Sequence, residues 1–419
     1  MLDRKSAPPY ADLQDFQLPS PVVETLDNKV PLVYLDQLDQ QVAKIELVFR
    51  AGKWHEPALG VSQFTAQLLE KGTASKSSFQ IAEYFDRLGA SVEINPGFDH
   101  TSASLYTLSK NLKEALPLFC EITQSPVFPD QELNLLKTIS RQNLKINNEK
   151  TSYLAGKKIR QKIFGHSHPY GSALEEHNLD IISQNQLIEF FKLHYHLEEI
   201  YMVGSFDAES MDQIRESFSQ YRKSIQADRT FANPERDYAP QYMEKAGSIQ
   251  SSLRLGKKVV NRDHSDYPAV ILLNHLLGGY FGSRLMKNIR EEKGLTYGIH
   301  SAINPLKHEA YFVIGTDVNK ENRTLAIGEI KKEIQNLVQQ PVSLGELELG
   351  KNHLLGSLQL ETANPFAVIE KIKVVRSNQL PADFYGKLFK SIQHLSPADL
   401  QRTAQSYFIP ETLLEVSVG

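Results

Sequence analysis

An internal repeat constrains this chain of 419 residues more than any other feature. Ile94-Asn95-Pro96 returns as Ile303-Asn304-Pro305, an offset of 209 (303 − 94), and Pro126-Val127 returns as Pro341-Val342, an offset of 215 (341 − 126). Short matches recur by chance, but a shared order at a near-constant offset marks a duplicated unit.

The element signals repeat in the same order. In the first half, Val22 to Leu26 and Val30 to Tyr34 read as strands around the turn dipeptide Asp27-Asn28. Ile45, Leu47 and Phe49 alternate onto one strand face. Gly60 introduces a helix striped by Val61, Phe64, Thr65, Leu68 and Leu69. Ser77 with Gln80 forms a capping box for a second helix, which Gly89 stops. Ser91 to Ile94 and Thr101 to Leu108 pair as strands, a helix runs from Leu112 to Pro126, and a long one starts near Asp130. In the second half Ile249, Ser251, Leu253 and Leu255 alternate as a strand. Helices follow over Pro268 to Leu277 and Ser283 to Glu292, then strands over Thr296 to Ala302 and Ala310 to Thr316. A helix striped by Leu325, Ile330, Ile334 and Leu337 comes next. The fold expected is α+β: two duplicated halves, each a largely antiparallel mixed sheet packed on one side by helices. The halves are residues 1–222 and 248–419, joined by the polar linker 223–247.

Composition narrows the function classes. A net charge of −4 leaves no basic footprint for nucleic acid or an anionic membrane. The single cysteine, Cys120, excludes an internal disulfide framework and a cysteine zinc cluster, and reads as a buried inert thiol. Met1 to Asp15 carries charges and two prolines and no apolar run, so it does not read as a signal peptide. No stretch approaches the roughly 18 apolar residues that span a bilayer. The expectation is a soluble, cytoplasmic protein, or a periplasmic one if a leader was trimmed.

The segment from Gly60 to Thr73 carries the chemical information. With strand Leu47 to Arg50 before it and Glu70-Lys71-Gly72-Thr73 behind, it resembles the insulinase or pitrilysin-type zinc peptidases, whose fold is insulinase-like (LuxS-metallohydrolase-like). Those carry His-x-x-Glu-His on this helix. Positions four apart share a helix face, so two imidazoles grip one zinc while the Glu activates its water. Here the three positions are Gln63, Ala66 and Gln67, which neither ligate zinc well nor move a proton. The family's third ligand, a Glu on the long helix, falls in a window reading Ile139-Ser140-Arg141-Gln142-Asn143-Leu144-Lys145, without an acid. The resemblance implies a degenerate site with no metal.

Asn274 to Leu285, leading into Arg290-Glu291-Glu292-Lys293-Gly294-Leu295-Thr296-Tyr297-Gly298, is similar to the family's most recognisable C-terminal segment. There an Arg and a Tyr steady the substrate at the scissile bond, and Arg290 and Tyr297 match that pair. Guanidinium and phenol both donate to a peptide carbonyl or oxyanion. From spacing alone Arg290 reads as a surface helix residue and Tyr297 as a strand packing residue.

Other candidates weigh less. His166 and His168, two apart in a loop, would need Glu175 or Glu176 to fold back to complete a metal site, so a structural turn is favoured. Gly278-Gly279-Tyr280-Phe281-Gly282 lacks the spacing of a phosphate loop. His275, His194 and His196 read as packing residues.

The resemblance implies a non-catalytic subunit of a two-chain zinc endopeptidase acting on unfolded peptides. A homologous partner would hold the zinc, and Arg290 and Tyr297 would serve that partner's site in trans. The alternative is a scaffold of the same fold with no role in proteolysis. A homodimer is compatible with the isolated chain. A lone peptidase ligating metal through His166 and His168 is the least favoured reading.

Overall fold

The computed structural model describes residues 16–36, 41–225, 229–232, 234 and 237–419. The stretch Met1 to Asp15, read above for a leader, lies outside them, as do residues 226–228, 233, 235 and 236 of the expected linker.

Two sheets carry the architecture. In the first half, β1 (Val22–Thr25), β2 (Pro31–Asp36), β3 (Val42–Phe49), β4 (Ser91–Pro96), β5 (Thr101–Leu108) and β6 (Leu197–Gly204) assemble in the order β1-β2-β6-β3-β5-β4. In the second, β7 (Gln241–Met243), β8 (Gln250–Val259), β9 (Ile299–Pro305), β10 (Ala310–Asn319) and β11 (Leu414–Val418) assemble as β7-β11-β8-β10-β9. With β1 set aside the two orders correspond strand for strand. Their pairing senses also agree: β2–β6 and β7–β11 are parallel, and the other neighbours are antiparallel. The repeated tripeptides occupy equivalent places. Ile94–Pro96 closes β4 opposite Thr101–Ala103, and Ile303–Pro305 closes β9 opposite Ala310–Phe312. The duplication is therefore one of topology as well as sequence. β7 lies inside the stretch read as the linker.

Local chemistry explains most element ends. The Ser78–Leu88 helix begins with a Ser77/Gln80 capping box and ends at Gly89 in the left-handed region, φ 59°, as the sequence pattern requires. In the β1–β2 turn the left-handed residue is Lys29, φ 69°, not Asp27 or Asn28. Asn28 instead donates its side-chain amide to the carbonyls of Phe218 and Tyr221, each at 2.8 Å. Thr296 and Tyr297, expected in a strand, precede it. Thr296 Oγ1 accepts from Gly298 N at 3.1 Å and donates to the Asp317 carbonyl at 2.8 Å, which fixes a turn and delays β9 to Ile299. Leu325, placed on the buried stripe, is 51% exposed; Ala326 takes its place in the core.

Helices from the same half cover one face of each sheet, burying Ile45, Leu47 and Phe49 of β3 against Val61, Phe64, Leu68 and Phe119. The opposite faces are closed by exchange between the halves. Ala155, Ile159, Ile163 and Phe164 of the Thr151–Phe164 helix pack on Leu414, Val416 and Val418 of β11. Val368, Ile369 and Ile372 of the Pro365–Ser377 helix pack on Val33, Leu35, Val48 and Val203 of the first sheet. Each fully buried aliphatic side chain contributes about 1.5–3 kcal/mol. Ion pairs frame the second contact: Lys44 bonds Glu46 (2.8 Å) and Glu370, Lys373 bonds Glu46 (2.6 Å), and Arg376 Nε bonds Glu199 (2.6 Å). No helix among the described residues is long and apolar enough to cross a membrane.

Candidate functional site

The Val61–Leu68 helix begins at Gly60, whose φ of 96° favours glycine. Glu56 covers its N-terminus: Oε2 accepts from Gly60 N (3.0 Å), Ser62 N (3.2 Å) and Ser62 Oγ (2.9 Å). This satisfies two of the four amides a helix start leaves open and places negative charge at the positive end of the helix dipole. Burial raises the Glu56 carboxyl above the usual range, partly offset by Ser62 and Lys53.

On this helix Gln63 is half-buried and faces a cleft of about 400 Å³ lined by Lys53, Glu56, Ser62, Gln63 and Phe98. Ala66 is fully buried, and Gln67 is half-buried, with its Oε1 shielded from solvent and unbonded. The Asp130–Asn148 helix, carrying the Ile139 to Lys145 window, packs alongside. The orphaned Gln67 oxygen is a neutral amide donor. No imidazole or carboxylate stands at positions 63, 66 or 67 or in the window to join it. Zinc takes imidazole, thiolate or carboxylate in a tetrahedral set, so these residues do not fit the family's metal. Among the described residues no group of three His, Cys, Asp or Glu side chains could hold an ion.

Lys53 and Glu56 are the features of this cleft that motif reasoning missed. Burial lowers the Lys53 ammonium to about 8, with Arg160 adding to the effect and Glu56 opposing it. The available signal was Glu56 four residues ahead of Gly60, at a helix start without a Ser, Thr, Asp or Asn cap.

The second-half segment has an unusual backbone. The Tyr267–Asn274 helix runs on as a π-helical turn over His275–Gly279, and Met286–Glu292 is π-helical too. Such turns are rare and recur at functional sites. Arg290, inside the second, lies over the ring of Phe281, its guanidinium carbon 4.8 Å from the centroid. Phe281 is itself 63% exposed. Tyr297 is 93% exposed, beside a cleft of about 420 Å³ lined by Arg254, Thr296, His300 and Asp317. The residues lining this cleft all come from the second half, and those lining the Gln63 cleft all come from the first. The two clefts share no lining residue.

The remaining candidates separate. His168 is buried, its Nδ1 accepting from Tyr170 N at 3.1 Å, with its ring among Trp54, Phe164, Tyr170 and Phe231. His166 is exposed. Glu175 does not fold back to these histidines: it caps the Glu176–Ile181 helix and pairs with Lys157. His194 packs on Phe190. Burial lowers the His196 imidazole, helped by Arg222, and raises the half-buried Cys120 thiol to about 12, so that thiol is unreactive. Gly278 is tightly packed, since an added Cβ would lie 2.6 Å from Ser301 Oγ.

Comparison with known proteins agrees with this geometry. Residues 32–175 match the family Insulinase (Peptidase family M16), and residues 182–354 match the Peptidase M16 inactive domain. The chain is 24% identical over 90% of its length to the uncharacterized zinc protease YmxG of Bacillus subtilis, covering 92% of that protein. It is 23% identical over 88% of its length to the non-peptidase homolog YmxG of Helicobacter pylori, covering 87% of that protein. A crystal structure of a peptidase M16 inactive domain from Pseudomonas fluorescens superposes with a TM-score of 0.87 at 25% identity, over 95% of this chain and 98% of the other. This chain belongs to the insulinase-type peptidase M16 family, as a member in which the zinc-binding helix has lost its ligands.

Proposed function

We propose that this chain is the non-catalytic subunit of a two-chain zinc endopeptidase that acts on unfolded peptides. A homologous partner carries the zinc, and this chain presents Arg290 and Tyr297 to that partner's active site. The observation that carries the reading is the exposure of Tyr297 and of the ring on which Arg290 rests. Tyr297 projects into solvent at a second-half cleft that shares no lining residue with the Gln63 cleft, and the half-buried Arg290 rests on an exposed ring. A phenol kept for packing would be buried, and one held outward is available to a second chain. The division into 1–222 and 248–419 follows the same reading, each unit supplying one face of the working chamber.

The test is to reconstitute the chain with a motif-bearing relative from the same genome and assay cleavage of an unstructured peptide. Arg290→Ala and Tyr297→Phe in this chain should each lower kcat by about 100-fold, the scale of one lost oxyanion donor. Unchanged cleavage by both variants would sink the reading and leave the fold a scaffold, as would failure to associate with any such relative.

A further inference from the structure

We infer that Phe281 is the positioning residue for Arg290: its ring holds the guanidinium in place while leaving the N–H donors open for a peptide. The inference rests on the trans reading of Arg290 given above and adds the residue through which that reading works.

The Arg290 guanidinium carbon lies 4.8 Å from the centroid of the Phe281 ring, inside the roughly 6 Å over which a ring face attracts a cation. Among the described residues its side chain makes no hydrogen bond and no ion pair besides this contact. The kind of partner matters. A carboxylate would fill the guanidinium fork with two N–H···O bonds and cancel its charge. A ring face attracts the cation but offers no lone pair, so the five N–H donors are not consumed by an acceptor. Arg284, just upstream, shows the contrast: its Nε and Nη2 are both taken by Glu346, at 2.7 and 2.8 Å. Arg284 is thereby spent on structure, and Arg290 is kept open.

The ring is itself held by the turn that carries it. Residues 280–283 join the two π-helical stretches, and Ser283 N donates to the Tyr280 carbonyl at 3.1 Å. Tyr280 anchors one end, its ring stacked on His275 at 4.7 Å and 11° and lying 4.8 Å from His353. Those two imidazoles are a hydrogen-bonded pair, Nε2 to Nδ1 at 3.1 Å. They meet because residue 350, on the Leu344–Leu360 helix, is glycine: an added Cβ would lie 2.2 Å from Leu276 Cδ2. Ser283, 1% exposed, anchors the other end of the turn. Between them Gly282 lets the chain pass over the stacked ring, where a Cβ would stand 2.8 Å from Tyr280 Cε2. Phe281 is the outward side chain of this turn, 63% exposed. Downstream, the fully buried Leu285 and Ile289 set the roll of Met286–Glu292, which brings Arg290 back over the ring. The glycine-flanked run from Gly278 to Gly282 is therefore a mount for one aromatic face.

The experiment uses the reconstituted pair described above and measures kcat, KM and the association of the two chains separately. Phe281→Leu keeps an apolar side chain but removes the ring. It should lower kcat by about 5- to 30-fold, the span of a cation–π contact from exposed to desolvated, with KM and association within about twofold. Phe281→Tyr, which restores a ring face, should return kcat to within about twofold of wild type. In an Arg290→Ala background, Phe281→Leu should change nothing further, since the group it positions is gone. Full activity of Phe281→Leu beside a loss in Arg290→Ala would overturn the positioning role and leave the trans reading standing. Full activity of both variants would overturn the trans reading and the positioning role with it. A Phe281→Leu loss that persists without Arg290, that tyrosine does not rescue, or that follows weaker association would also overturn the role, making Phe281 a contact in its own right.

Discussion

Glu46 and Lys373 meet at 2.6 Å although 327 residues separate them, and Glu46 is only 2% exposed at its side chain. The contact pins a second-half helix to the first-half sheet, and Lys44, two residues away on the same face of the strand, joins it.

Removing Glu46 leaves two buried or half-buried ammonium groups short of a partner. Breaking one member of a buried ion pair costs about 3–5 kcal/mol. Because Glu370 still serves both lysines, Glu46→Ala should fall near the lower end in urea denaturation. A change below about 0.5 kcal/mol would show that the ion pairs add nothing to the apolar contact.

Tyr297→Phe should leave thermal stability unaltered, since a 93%-exposed side chain with no packing to lose changes stability by less than about 0.5 kcal/mol. Arg290→Ala should lose no more than about 1 kcal/mol, the worth of an exposed cation–π contact. Differential scanning calorimetry of both variants measures this. A large drop would mean that they are structural parts and that cleavage assays on them report folding.

Acid should weaken the charged cluster around Glu198 of β6. Burial pushes the Glu198 carboxyl up, but His100, Lys307 and Arg50 outweigh it and hold the group at about 2. Its Oε2 lies 2.9 Å from His100 Nδ1. A depressed carboxylate binds fewer protons folded than unfolded, so its stabilisation is complete above the ordinary value near 4.5 and is lost as pH falls toward 2. Glu198→Gln should be less stable than wild type at pH 7, and the gap should narrow as pH drops from 4.5 to 2.5. Parallel pH curves for the two proteins would refute the assignment.

Gly256 of β8 has no room for a side chain: a Cβ would stand 2.6 Å from the Phe312 carbonyl oxygen and 3.3 Å from Ile163 Cδ1 of the crossing helix. Gly256→Ala should destabilise by about 1–3 kcal/mol, the usual cost of overpacking. A urea midpoint equal to wild type would show that the helix can give way.

Much of this fold was legible in the chain because its signals are local. Ser77, Gln80 and Gly89 mark both ends of one helix, and the Ile-Asn-Pro repeat marks equivalent strand ends. The loss of zinc chemistry was readable from Gln63, Ala66 and Gln67, since side-chain type alone decides it. The helix exchange was not readable, because an apolar stripe such as Val368, Ile369 and Ile372 names no target. Tyr297 was drawn into a strand because Thr296 has high β propensity, but its hydroxyl makes a turn instead. The nearness of His275 and His353 depends on Gly350, 75 residues from one and three from the other, which no periodicity announces.

The crossed helices also bear on how the molecule can be divided. Separated near residue 230, the first piece would keep a sheet whose rear, with Val33, Leu35, Val48 and Val203, is bare to water. It would also retain a helix made to cover someone else. The second piece would suffer the mirror-image defect. Neither piece is a self-sufficient folding unit, despite their common ancestry, so the two copies that arose by duplication now depend on each other to stay soluble.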